Sequence, residues 1–524
     1  MIPTEIHRHP GLAYEIRPRR ITAVLDEARR WGDRPFITQG RRVLTFDDHA
    51  RMVDDIAAQL RFAGVRERDR VAIFAANSPE WVATFFATLA VGAVVVPCNG
   101  WWSAEEMAHA CEVVEPSIVI SDGRCRERVP PGLPVLLTAD LAAGGGPAGR
   151  APSPVYGGDG EQDEDDPAVI LFTAGTTSFP KGATLSHRAL VSNLQTLLVV
   201  SRKLPHQIGD DIAPSVTLVG LPLFHIGAIQ LILVPPMTGS QIVFLEGRFD
   251  PGAVLEEMET HRVTMFSGVP TMMERLLAHP DVARRDLASV RTVVLGGSPV
   301  DDSLLERVRR AFPGTHRGVG QTYGLTEAGG LVSTGVGAQI AAHPGSSGRL
   351  VPVVEARVDD PDASGNGRLF IRSPAAMDGY WGWPDDPTID ADGWLDTGDI
   401  GRVDADGYLY ITGRAKEVII RGGENIAPAR VESVLAEHPA VAEVAVVGLP
   451  DPDLGEIVAA AVTLTSTGAA SSSDLEVYAR GRLAHFAVPQ RWWLRTEPLP
   501  TNDAGKILKH VLVAWWPDQE QAAA

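Results

Sequence analysis

The chain has 524 residues, with 47 lysines and arginines against 66 aspartates and glutamates, for a net charge of −19. That length predicts two or more domains with a large core, and the acidity argues against a nucleic-acid backbone or an anionic membrane as partner. Three cysteines, Cys98, Cys111 and Cys125, with no Cys-x-x-Cys pair, point to a reduced, cytoplasmic compartment without disulfides or structural zinc.

Residues 1–8 lack the apolar core of a signal peptide. Thr45 is placed to cap a helix whose apolar positions Val53, Ile56, Ala57 and Leu60 recur at helical spacing up to Gly64. A strand over 70–75 follows, then a helix opened by Ser78-Pro79-Glu80 and stopped by Gly92. Next come a strand over 93–96, a helix with the capping pair Ser103 and Glu106, and a strand over 117–121. Such alternation predicts parallel sheets covered by helices.

The stretch 142–166 is rich in glycine, proline and acid and reads as a mobile surface segment. An apolar strand over 168–172 then runs into Thr173, Gly175, Thr176, Thr177 and Ser178, closed by Pro180, Lys181 and Gly182. Over 216–237 the chain is strongly apolar, but Pro222, His225 and Pro235-Pro236 argue for strand, loop and helix in a core and against a membrane span. Two further strands lead into loops: 291–295 into Gly296-Gly297-Ser298-Pro299, and Gly318-Val319-Gly320-Gln321-Thr322 into Tyr323-Gly324-Leu325-Thr326-Glu327. From about Val353 the pattern turns strand-rich, with runs at 353–358, 368–371 and 408–412. The last hundred or so residues have an α+β pattern of their own, with strands at 441–447 and 457–464 and a helix over 474–485.

The loop after Phe172 offers short hydroxyls, close backbone N–H groups and one ammonium, the groups that wrap a polyphosphate; alone it is equally a hydroxyl-rich surface turn. It is not the common P-loop, for Lys181 lies between Pro180 and Gly182. Gly318-Val-Gly320 misses the last glycine of the dinucleotide pattern. His225-Ile-Gly-Ala falls one residue short of an aminoacyl-tRNA synthetase signature, and the chain has neither His-Glu-x-x-His nor Gly-x-Ser-x-Gly. Tyr323-Gly-Leu-Thr326-Glu327 combines an aromatic face for a base, a hydroxyl for phosphate and a carboxylate for Mg²⁺, though alone it reads as a helix start. Asp399 and Arg414 suit ribose hydroxyls, and equally suit hairpin turns.

Together these clusters resemble the adenylate-forming superfamily: acyl- and aryl-CoA synthetases, nonribosomal adenylation domains and beetle luciferases. The loop is similar to its signature Thr-Ser-Gly-Thr-Thr-Gly-x-Pro-Lys-Gly. Tyr-Gly-Leu-Thr-Glu, Thr-Gly-Asp, Gly-Arg-x-Lys-Glu and Pro500-Thr-Asn-Asp-Ala-Gly505-Lys506 follow in family order, so the likeness runs from Ala168 to Lys506. Ala174 stands where serine is usual and Ser178 where glycine is usual, departures that bear on nucleotide affinity.

The resemblance implies an α/β fold. A large N-terminal domain, residues 1–415, would have parallel β-sheets sandwiched by helices plus a distorted β-barrel. A small mobile α+β domain, residues 416–524, would carry the catalytic lysine. It implies ATP, Mg²⁺ and CoA, and a reaction in which a carboxylic acid forms an acyl-adenylate and then a thioester. Thr173, Ala174, Gly175, Thr176, Thr177 and Lys181 would hold phosphates. Gly297, Ser298, Pro299, Gln321, Thr322 and Tyr323 would frame adenine. Thr326 would touch the α-phosphate, Glu327 would hold Mg²⁺, and Asp399 and Arg414 would bind ribose. Lys416 would be the hinge that exchanges catalytic Lys506 for Gly422, Gly423 and Glu424 beside the thiol channel. His225 would lie over the carboxylate end of the acid pocket, with a buried core histidine as its alternative.

Amino-acid-activating relatives carry a carboxylate where this chain has Leu221-Pro-Leu-Phe224-His225. A substrate without an α-amino group is therefore expected, and the apolar or small Val269, Pro270 and Thr271, expected in the pocket, suit a fatty, alicyclic or polycyclic acid and not an amino acid. Trp101 and Trp102 are core aromatics or a gate. Two alternatives stand beside an acyl-CoA ligase: an acyl-AMP ligase loading a separate carrier protein, and a catalytically silent nucleotide-binding regulator. Homodimerisation is left open.

Overall fold

The computed structural model describes residues 2–4, 11–142, 163–173, 180–204, 208–209, 213–298, 300–315, 318–415, 419–421, 424–426, 428–451, 454–483, 485–502 and 505–517. The chain divides into two compact units, one of residues 1–356 and 371–397, the other of residues 357–370 and 398–524.

The first unit contains two large sheets. One is seven-stranded, in the order Gly379–Tyr380, Lys181–Ser186, Pro167–Thr173, Val94–Pro97, Arg70–Phe74, Ile118–Ser121, Val135–Leu137. The strands from Pro167–Thr173 onward pair in parallel. The first two strands add on antiparallel. The helices of this half form where the capping signals place them. Thr45 caps Phe46–Phe62, Ser78 caps Pro79–Ala90, and Ser103 with Glu106 makes a capping box for Ala104–Val114. Every residue of Pro79–Ala90 is buried, the signature of a helix enclosed on all sides.

The second sheet is nine-stranded: Arg349–Leu350, Gly330–Val336, Val319–Leu325, Thr292–Leu295, Met265–Gly268, Val216–Val219, Gln241–Phe244, Pro35–Gln39, Arg42–Thr45. Its middle is parallel and both its edges are antiparallel. Parallel strands buried on both faces need continuous apolar runs. Leu218, Phe266, Val293, Leu295 and Val319 meet that need and pack with Val254, Met258, Leu304 and Phe312 from the covering helices. Over 216–237 the chain forms the strand Val216–Val219, a turn, and the helix Ile226–Thr238, as expected.

In the second unit Gly455–Leu464 lies between Val441–Asp451 and Ile419–Arg421, with Arg491–Arg495 also paired to it and Glu424–Ile426 beyond Ile419–Arg421. Val431, Leu435, Val446, Val458, Val462 and Leu475 are its core. The helix expected over 474–485 spans Ser472–Arg480. Most of the surface segment expected over 142–166, residues 143–162, lies outside the described residues. Its last residues are tied down, Glu164 to Arg17, Asp165 to Arg188 and Asp166 to Arg68.

Candidate active site

Thr173 ends the buried strand Pro167–Thr173, and Lys181 opens the next strand directly opposite it. Lys181 was expected at the close of a loop; antiparallel pairing makes it a strand residue. Its Nζ lies 2.8 Å from Asp386 Oδ2. The faces of Tyr380 and Trp383 are 5.0 and 5.1 Å from the same nitrogen. Burial would raise the Asp386 carboxyl, but Lys181 and the hydroxyl and N–H of Thr388 hold it below the usual carboxylate range.

Tyr380 joins the two halves of this site. Its hydroxyl donates to Glu327 Oε1 at 2.8 Å and is hydrogen-bonded to Thr173. Burial, and then the Glu327 charge, push its pKa well up, so the phenol stays a neutral donor. Glu327 sits in the short 3₁₀ turn Thr326–Ala328, whose backbone is pinned by Met377 N donating to Glu327 O at 2.8 Å. Arg188, fully buried, reaches Asp165 at 2.6 Å, Asp378 at 3.3 Å and the Pro374 carbonyl at 2.7 Å. It thereby fixes the segment that leads into Tyr380.

Elsewhere in the first unit, Thr292–Leu295 runs into Gly296, Gly297 and Ser298. Gly297 takes φ +80°, a conformation glycine adopts without strain, and Gly297 and Ser298 are exposed. A Cβ at Gly296 would lie 2.4 Å from the Thr322 hydroxyl, so these two segments are in close contact. Gln321 is buried and its amide donates to the Ser346 carbonyl. Tyr323 stands in the strand Val319–Leu325 opposite Ser333, so the motif begins in a strand and turns helical, as the 3₁₀ turn Thr326–Ala328, only at Thr326.

His225 precedes the helix Ile226–Thr238 at its N-cap position. Its ring lies 4.4 Å from Phe224, which meets Trp101 edge-on at 5.7 Å. The turn before it is clamped by Asn77, whose amide donates to the Leu221 carbonyl at 2.8 Å and accepts from Leu223 N at 2.9 Å. Gln39 in turn donates to the Asn77 and Leu245 carbonyls, both at 3.1 Å. One helical turn after His225, Gln230 donates to Asn193 Oδ1 at 3.1 Å. Both amides press against Gly330, where φ is +122° and a Cβ would lie 2.0 Å from Gln230 Nε2.

In the second unit Asp399 and Arg414 are paired in register, with Arg414 Nε 3.1 Å from the buried Asp399 carboxylate. Lys506 is exposed in a tight turn, where its N–H bonds to Asn502 Oδ1 and its carbonyl to Asn502 N, both at 2.8 Å. Ala174, Gly175, Thr176, Thr177, Ser178, Pro299, Lys416, Gly422 and Gly423 lie outside the described residues, and of Glu424 only the backbone, in Glu424–Ile426, is described. Sequence reasoning missed Tyr380, Asp386, Arg188, Asn77 and Asn193, none of which stands in a motif that names its contacts.

Glu327, a half-buried carboxylate held by the Tyr380 hydroxyl, fits Mg²⁺, which takes one or two protein carboxylates and completes its octahedron with phosphate oxygens and water. Among the described residues no group of three or more His, Cys, Asp or Glu could hold a metal by itself.

The profile of the AMP-binding enzymes matches residues 24–381, and that of the AMP-binding enzyme C-terminal domain matches residues 430–506. A feruloyl-CoA synthase of Amycolatopsis sp is 36% identical over 492 residues, covering 90% of this chain and 94% of that protein. An indoleacetate–CoA ligase of Aromatoleum aromaticum is 31% identical, with 89% and 92% covered. The fatty acid–[acyl-carrier-protein] ligase ScoC of Streptomyces coeruleorubidus is 32% identical, with 90% and 91% covered. Among solved structures, ATP-bound MatB from Rhodopseudomonas palustris has a TM-score of 0.81 at 28% identity, covering 94% of this chain and 99% of that one. The o-succinylbenzoate CoA synthetase of Bacillus subtilis, solved with its acyl-adenylate, gives 0.78 at 27% identity, with 93% and 97% covered. With both parts of the profile matched in order and nine-tenths of the chain aligned to such enzymes, the chain belongs to the AMP-binding enzyme family, the adenylate-forming superfamily.

Proposed function

We propose that the protein activates a hydrophobic carboxylic acid without an α-amino group as its acyl-adenylate and passes the acyl group to CoA, releasing AMP and pyrophosphate. It is an AMP-forming acid–thiol ligase that uses ATP, Mg²⁺ and CoA. The observation that carries the reading is the joining of Thr173, Lys181 and Glu327 around Tyr380.

In the first half-reaction two anions meet, so charge neutralisation and alignment dominate. Lys181, with Thr173 and Thr176, takes the β- and γ-phosphates, and Thr326 the α-phosphate. Glu327 would hold Mg²⁺, which when bound would supply Lewis-acid neutralisation of the phosphate charge. Gly297, Ser298 and Tyr323 frame adenine, and Asp399 and Arg414 take the ribose. Lys506 stabilises the charge shared by the carboxylate and the α-phosphate. The part beyond 415 turns about Lys416 between the half-reactions.

For the acid, the Leu221–His225 turn offers no carboxylate to pair with an ammonium, and the rings of Trp101, Phe224 and His225 stand together. Beside fatty, alicyclic and polycyclic acids, the likeness to feruloyl-CoA and indoleacetate ligases favours an aryl acid. The test is a panel of ferulate, indole-3-acetate, octanoate and a steroid side-chain acid, read first as pyrophosphate and then as CoA thioester. An aryl acid is expected to give the highest kcat/KM. No acid-dependent pyrophosphate from any of them would favour the silent regulator. The likeness to ScoC supports a second reading, with a phosphopantetheinylated carrier protein as acceptor. Adenylation without CoA thioester, and with loading of such a carrier, would favour it.

A further inference from the structure

The segment 379–388 has no part in the motifs above, yet it supplies three of the groups around the Lys181 ammonium. A lysine has three N–H donors on a long flexible stem, so a phosphate-binding lysine left to itself must be ordered each time it binds. Here one donor is spent on Asp386 Oδ2 at 2.8 Å, and two aromatic faces stand at 5.0 and 5.1 Å. Both partners are largely withdrawn from water, Lys181 being 26% and Asp386 13% exposed, unlike a solvated surface pair.

The two Asp386 oxygens do different work. Oδ1 accepts the Thr388 N–H at 3.0 Å and the Thr388 hydroxyl, which holds the turn; Oδ2 faces Lys181. We propose that Asp386 is a positioning residue for the nucleotide. It seats the Lys181 ammonium against Tyr380 and Trp383 so that the remaining N–H groups are presented to anionic phosphate oxygens. The proposal rests on the reading of Lys181 as a polyphosphate ligand.

Asp386→Asn separates the two jobs, since the amide keeps an oxygen for Thr388 and turns an N–H donor toward Lys181. The probe is MgATP, titrated calorimetrically into the full chain. Asp386→Asn is expected to raise Kd about tenfold, ~1.4 kcal/mol, with a thermal midpoint lowered by a few degrees at most, and Asp386→Glu to recover most of the loss. Lys181→Ala is expected to weaken binding at least as much. In the Lys181→Ala background Asp386→Asn should add nothing, because it acts only through Lys181. Unchanged or tighter MgATP binding by Asp386→Asn would overturn the proposal, as would an equal further loss in the double variant. If Lys181→Ala itself leaves binding unaltered, the polyphosphate reading of Lys181 falls, and the role of Asp386 with it.

Discussion

At the scale of the single residue, Tyr380 links three other members of the candidate site. Its hydroxyl serves Glu327 and Thr173 while its ring faces Lys181. Tyr380→Phe keeps the ring and removes the donor, which should lower stability by about 1 kcal/mol. It should also raise the Mg²⁺ concentration for half-maximal pyrophosphate release, because Glu327 loses the bond that orients it. A Mg²⁺ titration beside a thermal melt checks both effects. Two buried histidines make a separate expectation. His49 is wedged between Phe36 and Phe86, and burial pushes its pKa down to about 3. His187 accepts Ile21 N–H at Nδ1; burial first, then Arg20, push it down to about 4. The unfolded chain therefore takes up these protons near pH 6.5 while the folded protein refuses them. Their contribution is intact above pH 6.5 and falls on acidification by roughly 1.4 kcal/mol per pH unit for each. For His187 the loss ends near pH 4, and for His49 near pH 3. Urea-unfolding midpoints at pH 7, 6 and 5, above most carboxylate titrations, should fall, and by more from pH 6 to 5 than from pH 7 to 6. His49→Phe should flatten that fall.

At the scale of the element, the clamp formed by Asn77 decides where Phe224 and His225 stand. It follows directly after the strand Arg70–Phe74 and holds a turn 144 residues away by two bonds. Asn77→Ala leaves a carbonyl and an N–H without these partners, at a cost of about 1–3 kcal/mol. It should raise KM for the acid severalfold more than KM for ATP, which steady-state kinetics on ferulate would read. The contrast between such contacts and the capped helices explains what the sequence could tell. Thr45, Ser78 and Ser103 announce their helices because a cap is a bond between residues three apart. The apolar runs at 70–75, 117–121 and 168–172 likewise mark strands, since burial on both faces needs them. Strand extent was less legible: Val441–Asp451 runs past the expected 447, and Lys181 and Tyr323 lie in strands because Thr173 and Ser333 pair with them. Pairing is a long-range fact that no local period encodes. Tyr380 belongs to a two-residue edge strand, too short for any pattern, and Asp386 to a turn. The motifs gave the chemistry of the site, while the residues that orient it come from distant parts of the chain.

At the scale of the whole molecule, the residues assigned to the first half-reaction are divided between two compact units. Thr173, Lys181, His225 and Glu327 belong to the first, and Asp399, Arg414 and Lys506 to the second. Lys506 is proposed to act in only one of the two half-reactions. Lys506 is the place to test this, and its backbone has partners of its own. Asn502 bonds both to the Lys506 backbone and to Gly505 N, Gly505 takes φ +78°, and Thr501 bridges Ile507. These backbone bonds remain in Lys506→Ala. Acid-dependent pyrophosphate release should fall by about 10²–10³, the usual cost of removing one donor from a developing charge. Thioester formation from supplied feruloyl-AMP and CoA should continue near its original rate, since the carboxylate and α-phosphate are already joined in that substrate. Equal losses in both assays would mean that Lys506 supports the second unit as a whole. Loss of the thiol step alone would place it at the acceptor, and the catalytic assignment would then have to move to another cation.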